Sequence, residues 1–268
     1  VAWNEHFGGS VIEYGTYPQQ NRSMFAKADA RPSLSTLYPN QTSSQRVYSA
    51  LTALLPDLCG REYPGQNSGG SRVERCLVDS GWGETVDAVY RAIARHALPV
   101  YPSKGIGRSA SSVGVARWKA RPGERTGFHW RLTLGEGKRG RCVQFDPDAW
   151  KSFVHNAMTV PVGGHAGLTL FGTRANQHEL IGEHCHAEYA EPATTKGDTY
   201  DKWTMRPDST DNDWLDCLVG CAVAASVAGV AINATGSVEP NIRPKTITQA
   251  DIDRQVRERK TIRPGATR

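Results

Sequence analysis

Three aspartates have the type and spacing of metal-binding carboxylates. Asp79 directly follows a strand-like run, residues 72–78, whose last three residues are apolar, and precedes a glycine-containing turn. Asp213 and Asp216 lie three positions apart, so on a helix they would share one face of its first turn. A site built only of carboxylate oxygens suits Mg²⁺ or Mn²⁺ better than zinc. Two such ions about 4 Å apart can activate a water and stabilise the leaving oxygen when a phosphodiester is cleaved, so these acids could support nucleic-acid hydrolysis.

The same acids also have a structural explanation. Asp211 and Asp213 could cap a helix, where the dipole favours each carboxylate by about 0.3–1 kcal/mol. Asp216 is harder to explain in this way, because the neighbouring Leu215 and Leu218 are apolar. Spacing alone therefore leaves both explanations open.

Other catalytic patterns are weaker. The chain has no GxxxxGK motif followed by Ser or Thr, so we expect no ATP site. Ser80, in DSGWG, resembles a nucleophile elbow that lacks its leading glycine, which leaves a serine hydrolase as an alternative. His178, His184 and His186 lie near Cys185, but no second cluster completes four zinc ligands. We expect these histidines to make structural hydrogen bonds.

The elements around Asp79 predict a parallel crossover unit. Residues 72–78 indicate a strand, residues 84–97 repeat apolar side chains with a helical period, and residues 98–101 indicate a second strand. Open α/β sheets place their sites at the carboxyl ends of such strands. Asp79 therefore lies where a site is expected.

The remaining elements complete a mixed α/β sheet flanked by helices. Two hairpins are predicted, one from residues 1–3 and 10–14 and one from residues 130–134 and 141–145. Apolar periodicity predicts further helices over residues 44–58, 149–158 and 213–230, and the pattern of residues 165–191 is ambiguous.

Basic residues are concentrated in two segments. The net charge is +5, yet residues 104–141 hold ten Lys and Arg against two acids, and residues 241–268 hold eight against three. Basic segments on an acidic body suit a polyanion such as DNA, although solvated loops would have the same composition. We expect two parts, residues 1–235 as a globular domain and residues 236–268 as a basic tail with a short charged helix.

Composition also limits the cellular setting. Six scattered cysteines form no disulfide framework, which indicates a reducing compartment. The longest apolar stretch, residues 217–232, is shorter than the ~20 residues of a membrane span, so we expect no membrane association. Because the first residue is Val1 and not Met, we expect the chain to be cut from a longer polypeptide.

Four pieces of the sequence, in this order, resemble the C-terminal nuclease domain of phage terminase large subunits of the lambda-like branch. The resemblance runs from about Val1 to Val230. The pieces are VAWNEHFGGSVIEYGTYP, CLVDSGWGETVDAVYRAIARH, PVYPSKG and DNDWLDCLVGCAVAA. They look like, respectively, the family's second and third strands, its strand with an acidic residue, a strand ending in Lys-Gly, and a late helix bearing the last acid.

The resemblance implies a ribonuclease H-like fold and a two-metal endonuclease that cuts concatemeric viral DNA in the cytoplasm of an infected bacterium. It implies Mg²⁺ or Mn²⁺ as cofactor, an ATPase domain upstream in the same polypeptide, and the terminase small subunit and portal as partners. Asp79 matches the second of three acidic positions and Asp216 the third, with Asp213 beside it. Lys104 would contact a phosphate, and other basic residues would contact the DNA backbone: Arg117, Lys119, Arg121, Lys138, Arg139 and Arg141.

The sequence departs from the family at the first acid. That residue belongs to the first strand of the sheet, nothing here matches it, and Glu13 is not its equivalent. Either the chain was cut just past that strand or it is a decayed copy. With two or three ligands for two ions, we expect weak metal binding and little cleavage by this chain alone. A ribonuclease H-like resolvase or transposase, and a non-catalytic DNA-binding remnant, are the alternatives.

Overall fold

The computed structural model describes residues 1–65, 69–108, 114–135, 139–195 and 197–232. These residues belong to one compact unit, Val1–Ile232. The basic tail predicted from residue 236, its charged helix and the domain boundary at residue 235 lie outside the described residues and stay predictions.

The described residues form twelve strands and six α-helices. The strands are β1 (Ala2–Trp3), β2 (Gly9–Val11), β3 (Tyr63–Pro64), β4 (Gly70–Ser71), β5 (Cys76–Asp79), β6 (Val100–Gly105), β7 (Arg125–Gly127), β8 (Trp130–Leu132), β9 (Val143–Phe145), β10 (Leu168–Leu170), β11 (Glu188–Thr195) and β12 (Asp198–Met205). The helices are α1 (Leu34–Leu37), α2 (Ser43–Gly60), α3 (Val86–Ala94), α4 (Pro147–Thr159), α5 (Glu179–His186) and α6 (Asp213–Ala228).

A five-stranded mixed sheet carries Asp79. Its strand order is β5-β6-β9-β8-β7, with β5, β6 and β9 parallel and β8 and β7 antiparallel. The helix α3 connects β5 to β6, which confirms the predicted crossover, and β8 with β9 forms the predicted second hairpin. The chain is therefore a mixed α/β protein, as predicted.

The strand β5 lies at one edge of this sheet. The first hairpin, β1–β2, is confirmed, but β2 pairs on its other side with β10 and the three strands form a separate sheet. The strand β10 belongs to the segment whose sequence pattern was ambiguous. Within the described residues, no strand pairs with the outer edge of β5 or with the outer edge of β1.

Side chains of β5 alternate between two apolar clusters, as a strand between two helical layers requires. Leu77 packs against the larger cluster, which includes the buried α6 residues Leu215 and Val219 and the fully buried Trp150 of α4. Cys76 and Val78 pack against a smaller cluster that α2 contributes to. Helices thus cover both faces of the sheet, and alternation puts Asp79 on the same face as Leu77.

A long hairpin, β11–β12, was not predicted from the sequence. Its eight paired positions run from Glu188–Met205 to Thr195–Asp198, and all of its side chains except the buried Glu188 are exposed or half-buried. Trp203 fastens it to α4, because the indole Nε1 donates to Ser152 Oγ at 2.9 Å and the backbone N–H donates to Asp148 Oδ1 at 3.0 Å. In the described part of the chain, no helix is long and apolar enough to cross a membrane.

Candidate functional site

Asp79 presents an exposed carboxylate at the carboxyl end of β5. Its Oδ1 accepts the backbone N–H of Gly81 at 3.0 Å, and within the described residues Oδ2 accepts no hydrogen bond. A Cβ at position 81 would lie 3.2 Å from Oδ1, so a glycine there lets the carboxylate turn back onto the chain. One oxygen of Asp79 is thus oriented by the backbone, and the other is free to bind a ligand.

The turn after Asp79 is fixed by the neighbouring strand. The backbone N–H and the hydroxyl of Ser80 both donate to the carbonyl oxygen of Ser103, at 2.8 and 2.9 Å. The Ser80 side chain is buried and its hydroxyl is engaged, so it is not presented as a nucleophile. The serine hydrolase alternative is therefore wrong for this residue.

Lys104 and Asp79 belong to the same neighbourhood. Asp79 pairs in register with Ser103, and Lys104 is the next residue along β6. Burial raises the pKa of the Cys142 thiol, while the Lys104 ammonium lowers that pKa and the Asp79 carboxylate adds to the rise. Both charges therefore act on one buried thiol. Asp79 and Lys104 lie at the same end of two neighbouring strands, with alternation placing Lys104 on the opposite face from Asp79.

A second strand-end acid, Asp146, has a different role. It follows β9 directly, is fully buried, and accepts the backbone N–H groups of Asp148 and Ala149 at 3.1 and 3.3 Å as the N-cap of α4. Its Oδ2 accepts Arg108 Nε at 2.8 Å, and His129 Nδ1 lies just beyond hydrogen-bonding distance at 3.6 Å. Both oxygens are used inside the fold, so Asp146 is a structural acid and Asp79 the accessible one.

Asp216 lies at the exposed margin of a polar network that the sequence did not reveal. Its Oδ1 lies 3.2 Å from Lys151 Nζ and its Oδ2 accepts Asn212 Nδ2 at 3.1 Å. Lys151 Nζ also donates to Glu188 Oε1 at 2.6 Å, and these two side chains are only 10% and 5% exposed. The network joins α4, β11 and α6. Glu188 and Lys151 are therefore carboxylate and ammonium neighbours that no local motif indicated.

The acid–base state of Asp216 follows from this network. Burial of the carboxyl raises its pKa, and the Lys151 ammonium acts in the opposite direction. The side chain is nevertheless 55% exposed, so part of the carboxylate remains accessible from solvent.

Asp213 is held by a surface lysine. Lys27 Nζ donates to Asp213 Oδ1 at 2.7 Å, and the Lys27 backbone N–H donates to Asp211 Oδ2 at 2.7 Å. Exposed pairs of this kind contribute only about 0–1 kcal/mol, so a competing cation could displace Lys27. The N-cap of α6 is Asn212, without a side-chain capping bond, so the predicted capping explanation for Asp211 and Asp213 is not what the structure shows.

The predicted acids fall into two places. Asp213 and Asp216 lie in the first turn of α6. Asp79 lies at the end of β5. Over the described ranges, no group of three or more His, Cys, Asp or Glu side chains could hold a metal ion.

Two of the three histidines, His178 and His184, make structural hydrogen bonds, as expected, whereas within the described residues the exposed imidazole of His186 makes none. His178 Nε2 lies 2.6 Å from the carbonyl oxygen of Phe171, and Nδ1 lies 2.9 Å from the hydroxyl of Tyr14. His184 Nδ1 accepts the backbone N–H of Trp214 at 3.3 Å, and burial lowers the pKa of its imidazole.

Some of the basic candidates for DNA contact already pair with a carboxylate, and others are exposed. Arg139 donates to Asp87 of α3 at 3.0 Å, and its guanidinium lies 6.0 Å from the ring centre of Tyr90. Asp87 lies in the first turn of α3, directly after the turn that follows Asp79, which places Arg139 near that strand end. Arg117 instead forms an ion pair with Asp198 of β12. Lys119, Arg121 and Arg141 are exposed, and Lys138 lies outside the described residues.

A mixed sheet with an accessible carboxylate at a strand end is consistent with a nuclease domain, and comparison with known protein families identifies which one. A family model described as the endonuclease domain of the terminase large subunit gpA matches residues 2–235. That match covers most of the 268 residues.

The chain therefore belongs to the terminase large subunit gpA endonuclease-domain family, which confirms the resemblance drawn from the sequence. No curated protein and no solved structure matches the chain.

Proposed function

We propose that the chain is the metal-dependent endodeoxyribonuclease domain of a viral DNA-packaging terminase, and that it cuts concatemeric double-stranded DNA by two-metal hydrolysis. Asp79, Asp216 and Asp213 are its proposed metal ligands. The observation that carries the proposal, beside the family itself, is the position of Asp79. It is an exposed carboxylate at a parallel strand end, oriented by Gly81, and it pairs in register with Ser103, the residue before Lys104.

The proposed metal site needs more ligands than the described residues gather. Carboxylate oxygens fit Mg²⁺ or Mn²⁺, but no described group of three could hold an ion, and Lys27 and Lys151 already contact Asp213 and Asp216. The residues present thus supply separate parts of such a site. We derive no reaction step through the metal from them.

A further strand would bring the parts together. The outer edges of β5 and β1 are both unpaired among the described residues, and unpaired strand edges favour pairing with another strand. We propose that a strand placed there carries the first acid and joins the two sheets into one ribonuclease H-like sheet. In its absence we expect weak metal binding and little cleavage.

Purified proteins test this proposal through cutting of supercoiled plasmid. The terminase large subunit that contains this domain should cut in Mg²⁺ or Mn²⁺ and stop in excess EDTA, and the 268-residue chain alone should cut little. Absence of metal-dependent cutting by the large subunit contradicts the nuclease function. Strong Mg²⁺-dependent cutting by the chain alone contradicts only the missing-strand proposal.

A non-catalytic DNA-binding remnant is the second candidate. The lysine contacts of Asp213 and Asp216 favour it, because a decayed site would retain its fold after losing its cation. The plasmid experiment separates the two, since a remnant binds DNA without cutting it in any polypeptide that contains the domain.

The proposed partners follow from the family. They are viral double-stranded DNA, an ATPase domain upstream in the same polypeptide, the terminase small subunit and the portal, and the proposed location is the cytoplasm of an infected bacterium. The chain has no phosphate-binding loop motif of its own, so ATP hydrolysis is assigned to the upstream domain.

If Lys104 contacts a phosphate, its removal should lower the affinity of the chain for DNA. Replacing Lys104 with alanine should weaken binding to duplexes of any sequence, and the slope of log affinity against log salt should fall by about 1 in magnitude. Fluorescence anisotropy over a salt series measures both quantities.

Lys202→Ala is the matched control, since Lys202 is also exposed on a strand but lies on β12. It should leave affinity and slope unchanged. An unchanged slope for Lys104→Ala would remove Lys104 from the phosphate-binding residues.

A further inference from the structure

An exposed indole stands beside the candidate catalytic carboxylate. Trp82 is three residues beyond Asp79 and is 60% exposed, compared with 42% for the exposed Phe128 and Phe171. Within the described residues, its side chain makes no hydrogen bond, ring stacking or cation–π contact. Large aromatic surface left in water on a soluble domain commonly marks an interaction site.

The backbone beneath Trp82 is held in place. Its carbonyl oxygen accepts both the backbone N–H and the hydroxyl of Thr85, at 3.0 and 3.2 Å. On the other side, Ser80 is bonded to Ser103 of β6. Because both flanks are fixed, the backbone that carries the indole is held at a defined place, and little backbone ordering is needed when a partner binds.

The charges of this turn limit what Trp82 can contact. Residues 79–84 include the carboxylates of Asp79 and Glu84 and no cation, so the turn itself does not attract phosphates. What it offers is a flat apolar ring. In DNA the matching surface is the face of a nucleobase, and an aromatic side chain that stacks on a base strengthens binding regardless of base identity.

We propose that Trp82 stacks on a nucleobase of DNA that lies across the strand end carrying Asp79, and so favours DNA whose base stack is locally open. The inference rests on the proposed function, since it takes DNA as the ligand of this edge. Bases inside an intact duplex are covered on both faces, so the ring can reach one only where a step is unstacked or a base is unpaired. Trp82 therefore favours DNA that is already opened at the cutting point.

Binding to two synthetic duplexes tests the inference without cleavage. The probes are a blunt duplex and a duplex of the same length with two central mismatches and a 2-aminopurine beside them, both in EDTA. The unaltered chain should bind the mismatched duplex more tightly and change the 2-aminopurine fluorescence. Trp82→Ala should lose about 10-fold in affinity for the mismatched duplex and much less for the blunt one, with an unchanged salt dependence.

Two further variants keep the result interpretable. Trp82→Phe retains a stacking ring and should recover most of the affinity, and Phe171→Ala, an exposed aromatic in another part of the chain, should behave like the unaltered chain. Equal binding of both probes by Trp82→Ala and the unaltered chain overturns the inference and leaves the nuclease proposal standing. Failure of the unaltered chain to bind either probe also overturns the inference, whereas the nuclease proposal is decided by plasmid cutting with the large subunit.

Discussion

Replacing Asp79 with asparagine is expected to abolish DNA cleavage by the terminase large subunit that contains this domain. We expect a fall of about 1,000-fold or more, because metal-assisted stabilisation of the transition state supplies several kcal/mol and each 1.4 kcal/mol changes the rate tenfold. DNA binding should remain nearly intact, since an anionic side chain contributes no phosphate contact. Plasmid cutting and fluorescence anisotropy on the same preparations measure the two effects.

Asp57→Asn is the matched control for this substitution. Asp57, in the last turn of α2, is also an exposed carboxylate, and it pairs with Arg61, the residue that follows the helix. It should cut at the normal rate. If Asp79→Asn also cuts normally, the assignment of the site to this strand end is wrong.

Replacing Asp146 with asparagine is expected to cost about 3–5 kcal/mol of unfolding free energy. Breaking a buried ion pair by removing one partner leaves the other charge uncompensated, and here Arg108 would lose the carboxylate at 2.8 Å. Because asparagine can still cap α4, the loss of unfolding free energy reports the removal of the negative charge alone. Urea unfolding followed by circular dichroism measures it.

The effect of Asp146 should depend on pH in a defined direction. Burial alone would raise the pKa of Asp146, but His129 and Arg108 outweigh it and the pKa lies below its usual value. A carboxyl whose pKa is lower in the folded state stabilises the fold above its unfolded pKa of about 4, and the contribution disappears as pH falls through the folded pKa. The stability gap between the unaltered chain and Asp146→Asn should therefore narrow below about pH 4.

Two controls separate charge from general disruption. Asp208→Asn, in an exposed turn, should leave stability unchanged. Adding Arg108→Met to Asp146→Asn should recover part of the loss, because replacing both members of a buried pair is often tolerated. A gap that stays constant from pH 7 to pH 3 would contradict the ion-pair explanation.

Features with a strong local period were predictable from the sequence. The crossover from β5 through α3 to β6 has apolar strands and an amphipathic helix. The late helix was correct because its apolar face is continuous, and Leu215, Val219 and Val223 are indeed buried. Asp79 could be placed at a strand end for the same reason, since its strand was recognisable.

Features that depend on distant parts of the chain were not predictable. The hairpin β11–β12 lacks an apolar face, because it lies on the surface and is held to α4 through polar contacts of Trp203 and Glu188. Lys151 contacts Glu188 and Asp216, which lie 37 and 65 positions further along the sequence. In the sequence alone, Lys151 looks like an ordinary lysine on a helix surface. Pairing across such separations depends on tertiary packing, which no local spacing records.

Counting charges along the sequence also overestimates how many basic residues are unpaired and available to contact DNA. The basic segment from residue 104 to 141 predicted a series of DNA contacts, yet Arg117 and Arg139 form ion pairs with Asp198 and Asp87. Composition counts charges but does not show which are already paired. Lys104, for which no ion pair is found among the described residues, is therefore the sharper test of phosphate contact.

Direct measurement of Mn²⁺ binding tests the central claim of a metal-dependent nuclease site at Asp79. The terminase large subunit, titrated with Mn²⁺ and followed by electron paramagnetic resonance, should bind the ion at a site that Asp79→Asn and Asp216→Asn each weaken by about 10-fold or more, whereas Asp57→Asn leaves it unchanged. Unaltered Mn²⁺ affinity in both Asp79→Asn and Asp216→Asn would contradict the account.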